Sequence, residues 1–277
     1  MDGGTVFSET EITAVAETSE ALSSLMFEEA PAKLKETLGI ATRRIAGGIA
    51  TSVLRDPAGS WNRARGFGVI EPVTTDVVGQ ICDFYRAQNI AEAEIAIAPS
   101  LLPPDWDQIC SKHGLSAGSS RLKLACQASE FRPGGSTRAR VDRVGADQAG
   151  AAGRFLATEF GMQYTADLFG SAFRTGGFQA FAAWDGDEMI GVSVLRLGGV
   201  AAQFHGAVTK PAYRRRGVQS ALLTARAQAA RDAGSTWLIS EVMSPVEGMP
   251  NSSLNNLLRA GFTVLYERRG WIWKSAP

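Results

Sequence analysis

Three consecutive arginines, Arg214, Arg215 and Arg216, run into Gly217 and then into the apolar stretch VQSALL. A glycine-bearing loop that opens a helix leaves several backbone N–H groups without intrahelical partners around one point. The helix dipole adds partial positive charge there, so the favoured guest is an anion such as a phosphate. Neighbouring arginines strengthen that preference; a plain basic turn at a helix start is the alternative. No Lys-Ser/Thr pair follows Gly217 and no GxGxxG overlaps it, which argues against a Walker loop or a dinucleotide fingerprint at this position. Proton-transfer candidates lie nearby in the chain. His205 sits on the strand leading to the loop, with an ordinary pKa suited to neutral pH. Glu241 closes the next strand, a carboxylate within the apolar run WLISEVM, and Tyr266 follows Gly261-Phe262. Each also has a structural reading: a satisfied core histidine, a solvated strand end, a half-buried packing tyrosine.

These residues need a scaffold. At 277 residues the chain suits two domains of about 130 residues better than one, and 45% hydrophobic content is enough for real cores. Lys+Arg and Asp+Glu balance at 28 each, so no global field points to nucleic acid or to an anionic membrane. The arginine run is therefore a local feature. Cys82, Cys110 and Cys126 lie far apart without metal-ligand spacing and read as buried free thiols of a reducing compartment. No metal is expected. The acidic N-terminus lacks a signal-peptide pattern, and no run approaches the roughly 18 apolar residues of a membrane span. The expected location is cytoplasmic, as a monomer or homodimer.

Helical apolar spacing over 9–38, with acidic residues filling the gaps, predicts one or two amphipathic helices. Strands are expected on either side of Gly47-Gly48 and again from Asn62 to Glu71. A helix follows, capped among Thr74, Thr75 and Asp76 and burying Val77, Ile81 and Phe84. Strand AEIAIAPS, a helix ending at Gly114 and strand SRLKLACQASE complete the first half, and 131–137 is the linker candidate. The second half begins with a strand at 138–145, a helix capped by Asp147 and another over TADLFGSAFRTG. A hairpin turns at Asp185-Gly186-Asp187. Strand VAAQFHGAVT enters the arginine loop, a helix runs to Gly234, and STWLISEVMSP, a helix ending at Gly261 and VLYERRGWIWKS close the chain.

The two halves repeat one order of elements at low identity, as NRARGFGVIEP…AEIAIAPS…CSKHGL parallels QFHGAVTKP…WLISEVMSP…LLRAGF. The first copy has EPVTTDVVG where the second has the arginine loop, so it should bind no anion there. It reads as structural, or as a wall of a substrate cleft between the halves. Trp271 and Trp273 lie on one face of the last strand, suited to packing between copies or to substrate contact.

The second half resembles the GNAT acetyltransferase superfamily. Val208, Pro211, Tyr213, Arg214 and Gly217 follow its signature, Gln219 stands where Gly or Ala is usual, and the helix ending in Gly261-Phe262 is similar to a second recurrent segment. The resemblance is specific over about 185–265, weaker over 138–185, and for 1–130 rests on element order. It implies an α/β (α+β) protein of two GNAT-like domains, each a mixed twisted sheet flanked by helices. These are a degenerate copy over 1–130, a linker at 131–137 and an acyl-CoA-binding copy over 138–277. It further implies acetyl-CoA or another acyl-CoA as donor and a small-molecule amine as acceptor, attacking directly in a ternary complex. Backbone N–H groups of Arg215, Arg216, Gly217, Val218, Gln219 and Ser220 would hold the pyrophosphate. The strand edge at Ala207, Val208 and Thr209 would pair with pantetheine amides. Arg214 would add charge, and Ser253 and Asn256 would face the cleft. The tyrosine that serves as acid in many members is replaced by Leu257. This keeps a competing class open, a non-catalytic acyl-CoA sensor or partner-binding module.

Overall fold

The computed structural model describes residues 7–175 and 177–275. The first half runs α1 (Glu9–Ala21), α2 (Leu25–Glu28), α3 (Ala32–Leu38), β1 (Ile40–Ile45), β2 (Gly48–Val53), β3 (Arg63–Arg65), α4 (Thr75–Ala87), β4 (Glu92–Ala96), α5 (Trp106–His113) and β5 (Leu115–Gln127). The second runs β6 (Arg140–Arg143), α6 (Ala149–Glu159), α7 (Ala166–Arg174), β7 (Phe178–Asp185), β8 (Glu188–Gly198), β9 (Ala201–Thr209), α8 (Val218–Asp232), β10 (Trp237–Met243), α9 (Ser252–Arg259) and β11 (Thr263–Lys274). The order expected from sequence is present with local corrections. The helical stretch over 9–38 breaks into three pieces, and the strand expected from Asn62 to Glu71 shrinks to β3. Asp147 does not cap α6, whose cap position is Gln148 with no side-chain bond. Thr74 does cap α4, accepting from the Val77 N–H.

All eleven strands join one sheet in the order β1-β2-β3-β4-β11-β5-β10-β9-β8-β7-β6. Each half ends in a strand that leaves its own neighbours. β5 pairs antiparallel with β10 of the second half, and β11 pairs antiparallel with β4 of the first. The two then pair with each other along most of their length. Each copy's sheet is thus completed by the other's last strand, so the linker crosses the chain without marking a break in the sheet. The exchange also explains the tryptophans. Trp273 is buried and stacks on Tyr85, while Trp271 meets Trp106 edge-on at 5.3 Å, so both pack in the first copy's core. The three cysteines are buried and free, and burial raises their thiols to about 11.

Charge on the sheet departs from what helical spacing suggests. Glu17 and Glu20, expected on the solvent side of α1, are buried beneath it. Opposite them the strands present Arg63 and Arg65 from β3, Glu94 from β4, Arg121 and Lys123 from β5, Glu241 from β10 and Arg268 from β11. Period-two alternation puts these side chains on one face, while Ala64, Leu122 and Leu124 point to the apolar cores on the other. A layer of ion pairs therefore lies between α1 and the middle of the sheet. No helix among the described residues is long and apolar enough to cross a membrane.

Candidate active site

The site begins at an irregularity in β9. Ser193 of β8 faces Ala207 and Leu195 faces Phe204, so the single residue Val194 opposes both His205 and Gly206. This bulge bends β9. On its other edge β9 pairs in parallel with β10 only from Ala201↔Trp237 to Phe204↔Ser240. Beyond that point the strands part, and a slot opens between His205–Ala207 and Glu241–Met243. Arg226 of α8 supports the bend. It is fully buried, lies 4.4 Å over the Phe204 ring, and donates to the carbonyls of Val194 at 3.3 Å and His205 at 3.0 Å. These are carbonyls the bulge diverts from regular pairing. Burial lowers Arg226 to about 9, so it remains a cation at neutral pH. Arg226→Met is expected to cost about 1–3 kcal/mol by leaving those oxygens unsatisfied, read as a lower urea midpoint with unchanged slope. An unchanged midpoint would show that the bulge holds itself.

A cavity of about 550 Å³ passes through the slot. On one face it is walled by Gln219, Leu223 and Arg226 of α8 and by Ser253, Asn256 and Leu257 of α9. On the other it reaches Glu20 and Ser23 near the end of α1, Arg63 and Arg65, and an aromatic group around Phe27, Trp61, Phe169 and Phe178. A smaller hollow of about 90 Å³ between α8 and α9 shares Leu223 and Asn256 and ends at Gly134 and Gly135 of the linker.

The arginine loop stands at the start of α8. Gly217 has φ +75° and Arg215 φ +61°, left-handed conformations that turn the chain sharply into the helix. The N–H groups of residues 215–220 have no backbone acceptor among the described residues. Arg214, Arg215 and Arg216 are exposed; Arg214 donates from Nε to the Thr209 carbonyl at 3.3 Å, and Arg216 lies over the Tyr213 ring. Tyr213 and Lys210 are tied to Glu188 across the β7–β8 turn. The linker packs against the loop, so that a Cβ at Gly217 would fall on the Ser136 carbonyl oxygen, and one at Gly134 on Ser220.

Of the residues singled out from sequence, His205, Ala207, Gln219, Glu241, Ser253 and Asn256 line the cavity. Val208, Thr209, Arg214, Arg215, Arg216, Gly217, Val218 and Ser220 form the adjoining strand end and loop without lining it. Tyr266 is not brought to the cavity. It donates to Glu17 at 2.6 Å, and burial together with the Glu17 charge pushes its hydroxyl far above the ordinary tyrosine range. Glu241 reaches the wall already paired with Arg268, Lys123 and Arg121. Burial and the charge of Glu20 push its carboxyl up, but the three cations outweigh them and hold it below the usual range. His205 bonds the Ser23 hydroxyl through Nε2 at 2.9 Å. Burial, then repulsion from Arg65, lowers its imidazole to about 3, so it is neutral at working pH and a weak base. Sequence reading missed the first-half wall: Glu20, Ser23, Arg63 and Arg65 sit 140 or more residues from the loop in the chain, and only the alternation Arg63-Ala64-Arg65 hints at a shared face for the two arginines.

The acetyltransferase (GNAT) family matches residues 153–248, a segment spanning α6 to the end of β10 and containing the bulge, the slot's lips and the arginine loop. That segment is a GNAT domain. No curated protein matches the sequence. Among solved structures, a GCN5-related N-acetyltransferase from Kribbella flavida superposes with a TM-score of 0.64 at 14% identity, covering 96% of each chain. Another from Sphaerobacter thermophilus gives 0.59 at 12% identity over 98% of this chain and 95% of its own. A tandem GNAT protein from the clavulanic acid biosynthesis pathway gives 0.59 at 14% identity over 95% of this chain and 97% of its own. These full-length matches extend the likeness to the whole chain as a fold: it is similar to tandem GNAT folds, and the arginine loop stands in its second half. Among the described residues no group of three or more His, Cys, Asp or Glu side chains could hold a metal ion.

Proposed function

We propose that the second copy binds acetyl-CoA, or another acyl-CoA, and transfers the acyl group to a small-molecule amine in a ternary complex. The observation that carries this reading is the cavity threading the sheet at the parted ends of β9 and β10. A linear thioester can enter from the α8–α9 side and present its carbonyl to an acceptor arriving from the α1 side. The unpaired N–H groups of 215–220 suit a pyrophosphate, and exposed Arg214 to Arg216 add charge at its edge. The free edge of β9 at Ala207–Val208 offers donors and acceptors to pantetheine amides, with Asn256 and Ser253 across the slot. Holding donor and acceptor in one cavity turns their encounter into an oriented, effectively unimolecular step.

The amine nitrogen attacks the thioester carbonyl carbon, the N–C bond forms, the C–S bond breaks, and a proton passes from nitrogen to the thiolate. Glu241 and His205 are already deprotonated near neutrality and weakly basic, so neither sets a titration there. Deprotonation of the ammonium therefore falls to water. The expected kcat/KM rises about tenfold per pH unit up to the acceptor's own amine pKa, and the profile moves when an amine of different pKa is used. A plateau from near pH 7, common to both amines and abolished by His205→Gln or Glu241→Gln, would contradict this assignment.

One observation favours the second reading, a sensor that binds acyl-CoA without turnover. Each of Glu241, His205 and Tyr266 is engaged by other groups, and Leu257 stands where many relatives of the family place an acid. Release of CoA thiol upon adding amines separates the two. Amine-dependent release supports transfer; tight binding of acetyl-CoA with no release supports the sensor.

A further inference from the structure

Among the groups the first copy contributes to the cavity is a pair of arginines, Arg63 and Arg65, each with a single ionic contact among the described residues. Arg63 and Arg65 sit two apart on β3, so they share the face turned to the cavity. Arg65 is 8% exposed, and its one ionic contact is from Nε to Glu20 at 3.1 Å. Its two terminal nitrogens make no hydrogen bond among the described residues. The Arg63 side chain makes no hydrogen bond among the described residues, and its ionic contact with Glu94 is long, at 3.6 Å. Neither carboxylate is free to do more: Glu20 is shared with Lys123 and Arg268, and Glu94 binds Arg121. In the layer as a whole the five cations Arg63, Arg65, Arg121, Lys123 and Arg268 face the four carboxylates Glu17, Glu20, Glu94 and Glu241. A buried cation short of a counter-charge is costly, and a guest anion relieves it. Burial and the nearby Arg65 already lower Arg63 to about 10. Beside the arginines the wall is apolar, built from Met26, Phe27, Trp61, Phe169 and Phe178.

We propose that Arg63 and Arg65 bind a carboxylate on the acceptor, so that the acceptor is an amino acid-like molecule with an amine, a carboxylate and an apolar body. Guanidinium groups match carboxylates in planar, bidentate geometry, and the aromatic wall takes the body. The first copy, which lacks the anion loop, thus selects the acceptor. This rests on the transfer reading above. In the balanced reaction the acceptor ammonium and the thioester yield the amide, free thiol and one proton, and the acceptor's carboxylate is unchanged.

The test pairs binding with turnover. Calorimetry in the presence of CoA measures N-acetylphenylalanine and N-acetylleucine, each beside its primary amide. Thiol release with acetyl-CoA measures phenylalanine and leucine beside their amides. The expected result is at least tenfold tighter binding of the acids and a KM at least tenfold lower, both lost in Arg63→Gln and Arg65→Gln. Arg63→Gln removes only a long contact of a half-buried side chain, so it keeps the test usable if Arg65→Gln fails to fold. Preferential, arginine-dependent binding of the acids without thiol release supports this site and overturns the transfer reading. Equal use of acids and amides, a preference that survives in Arg63→Gln and in folded Arg65→Gln, or no binding of any pair overturns the carboxylate site.

Discussion

Replacing Gly217 by glutamate is expected to raise the dissociation constant for acetyl-CoA at least ~100-fold, equivalent to about 3 kcal/mol. Three effects act together. At φ +75° any side chain is strained, and a Cβ there collides with the Ser136 carbonyl oxygen of the linker. A carboxylate at the mouth of the unpaired N–H groups competes for them and repels an incoming pyrophosphate. Gly217→Ala keeps the first two effects without the charge, so its affinity is expected to fall between wild type and glutamate. Calorimetric titration of folded variants checks both. Unchanged affinity in the glutamate variant would remove the loop from the donor site.

The other large effect belongs to Arg268. It is 2% exposed and bridges three carboxylates: Glu17 through two bonds at 2.9 and 2.7 Å, Glu20 at 2.5 Å, and Glu241. Burial works against its charge, yet these carboxylates outweigh it and raise its pKa well above the ordinary value. Arg268→Met would leave three buried carboxylates to Lys123, Arg65 and Arg121, at an expected loss of about 3–5 kcal/mol in urea unfolding. The double variant Glu17→Gln, Arg268→Met should lose less than the sum of the single changes, because each removes what the other was paired with. A loss within about 1 kcal/mol for Arg268→Met would mean that water or rearrangement replaces the arginine. The layer also sets an acid limit. Burial opposes ionisation of Glu20, but Arg268, Lys123 and Arg65 hold its carboxyl well below the ordinary 4.5. Its contribution is therefore complete above that value and is lost as pH falls through the depressed one.

Much of this architecture is written locally. The arginine loop is legible because a glycine in a left-handed turn and an apolar helix behind it are properties of adjacent residues. Element order is legible because helical and strand periodicities survive within each segment, as in α4 with its Thr74 cap. The strand exchange is not. β5 and β11 would carry the same alternation whichever neighbour they chose, and Trp273 gives no sign that it belongs beside Tyr85 in the other copy. Burial of charge is hidden for a related reason. Glu17 and Glu20 occupy helix positions that favour solvent until a strand bearing Lys123 and another bearing Arg268 come beneath them. His205 shows the consequence at the site: a histidine whose ordinary pKa suits catalysis is held near 3 by burial and a distant arginine. In sequence, Arg63-Ala64-Arg65 looks like an ordinary half-exposed strand, whereas in the fold it walls the cavity.

The sharpest single measurement is the calorimetric stoichiometry of acetyl-CoA on the intact chain. Two copies share the fold, but only β9 and β10 flank a slot that meets the arginine loop. One site per chain is predicted, displaced by CoA. Two equivalent sites, or no binding at all, would contradict the assignment of donor chemistry to the second copy.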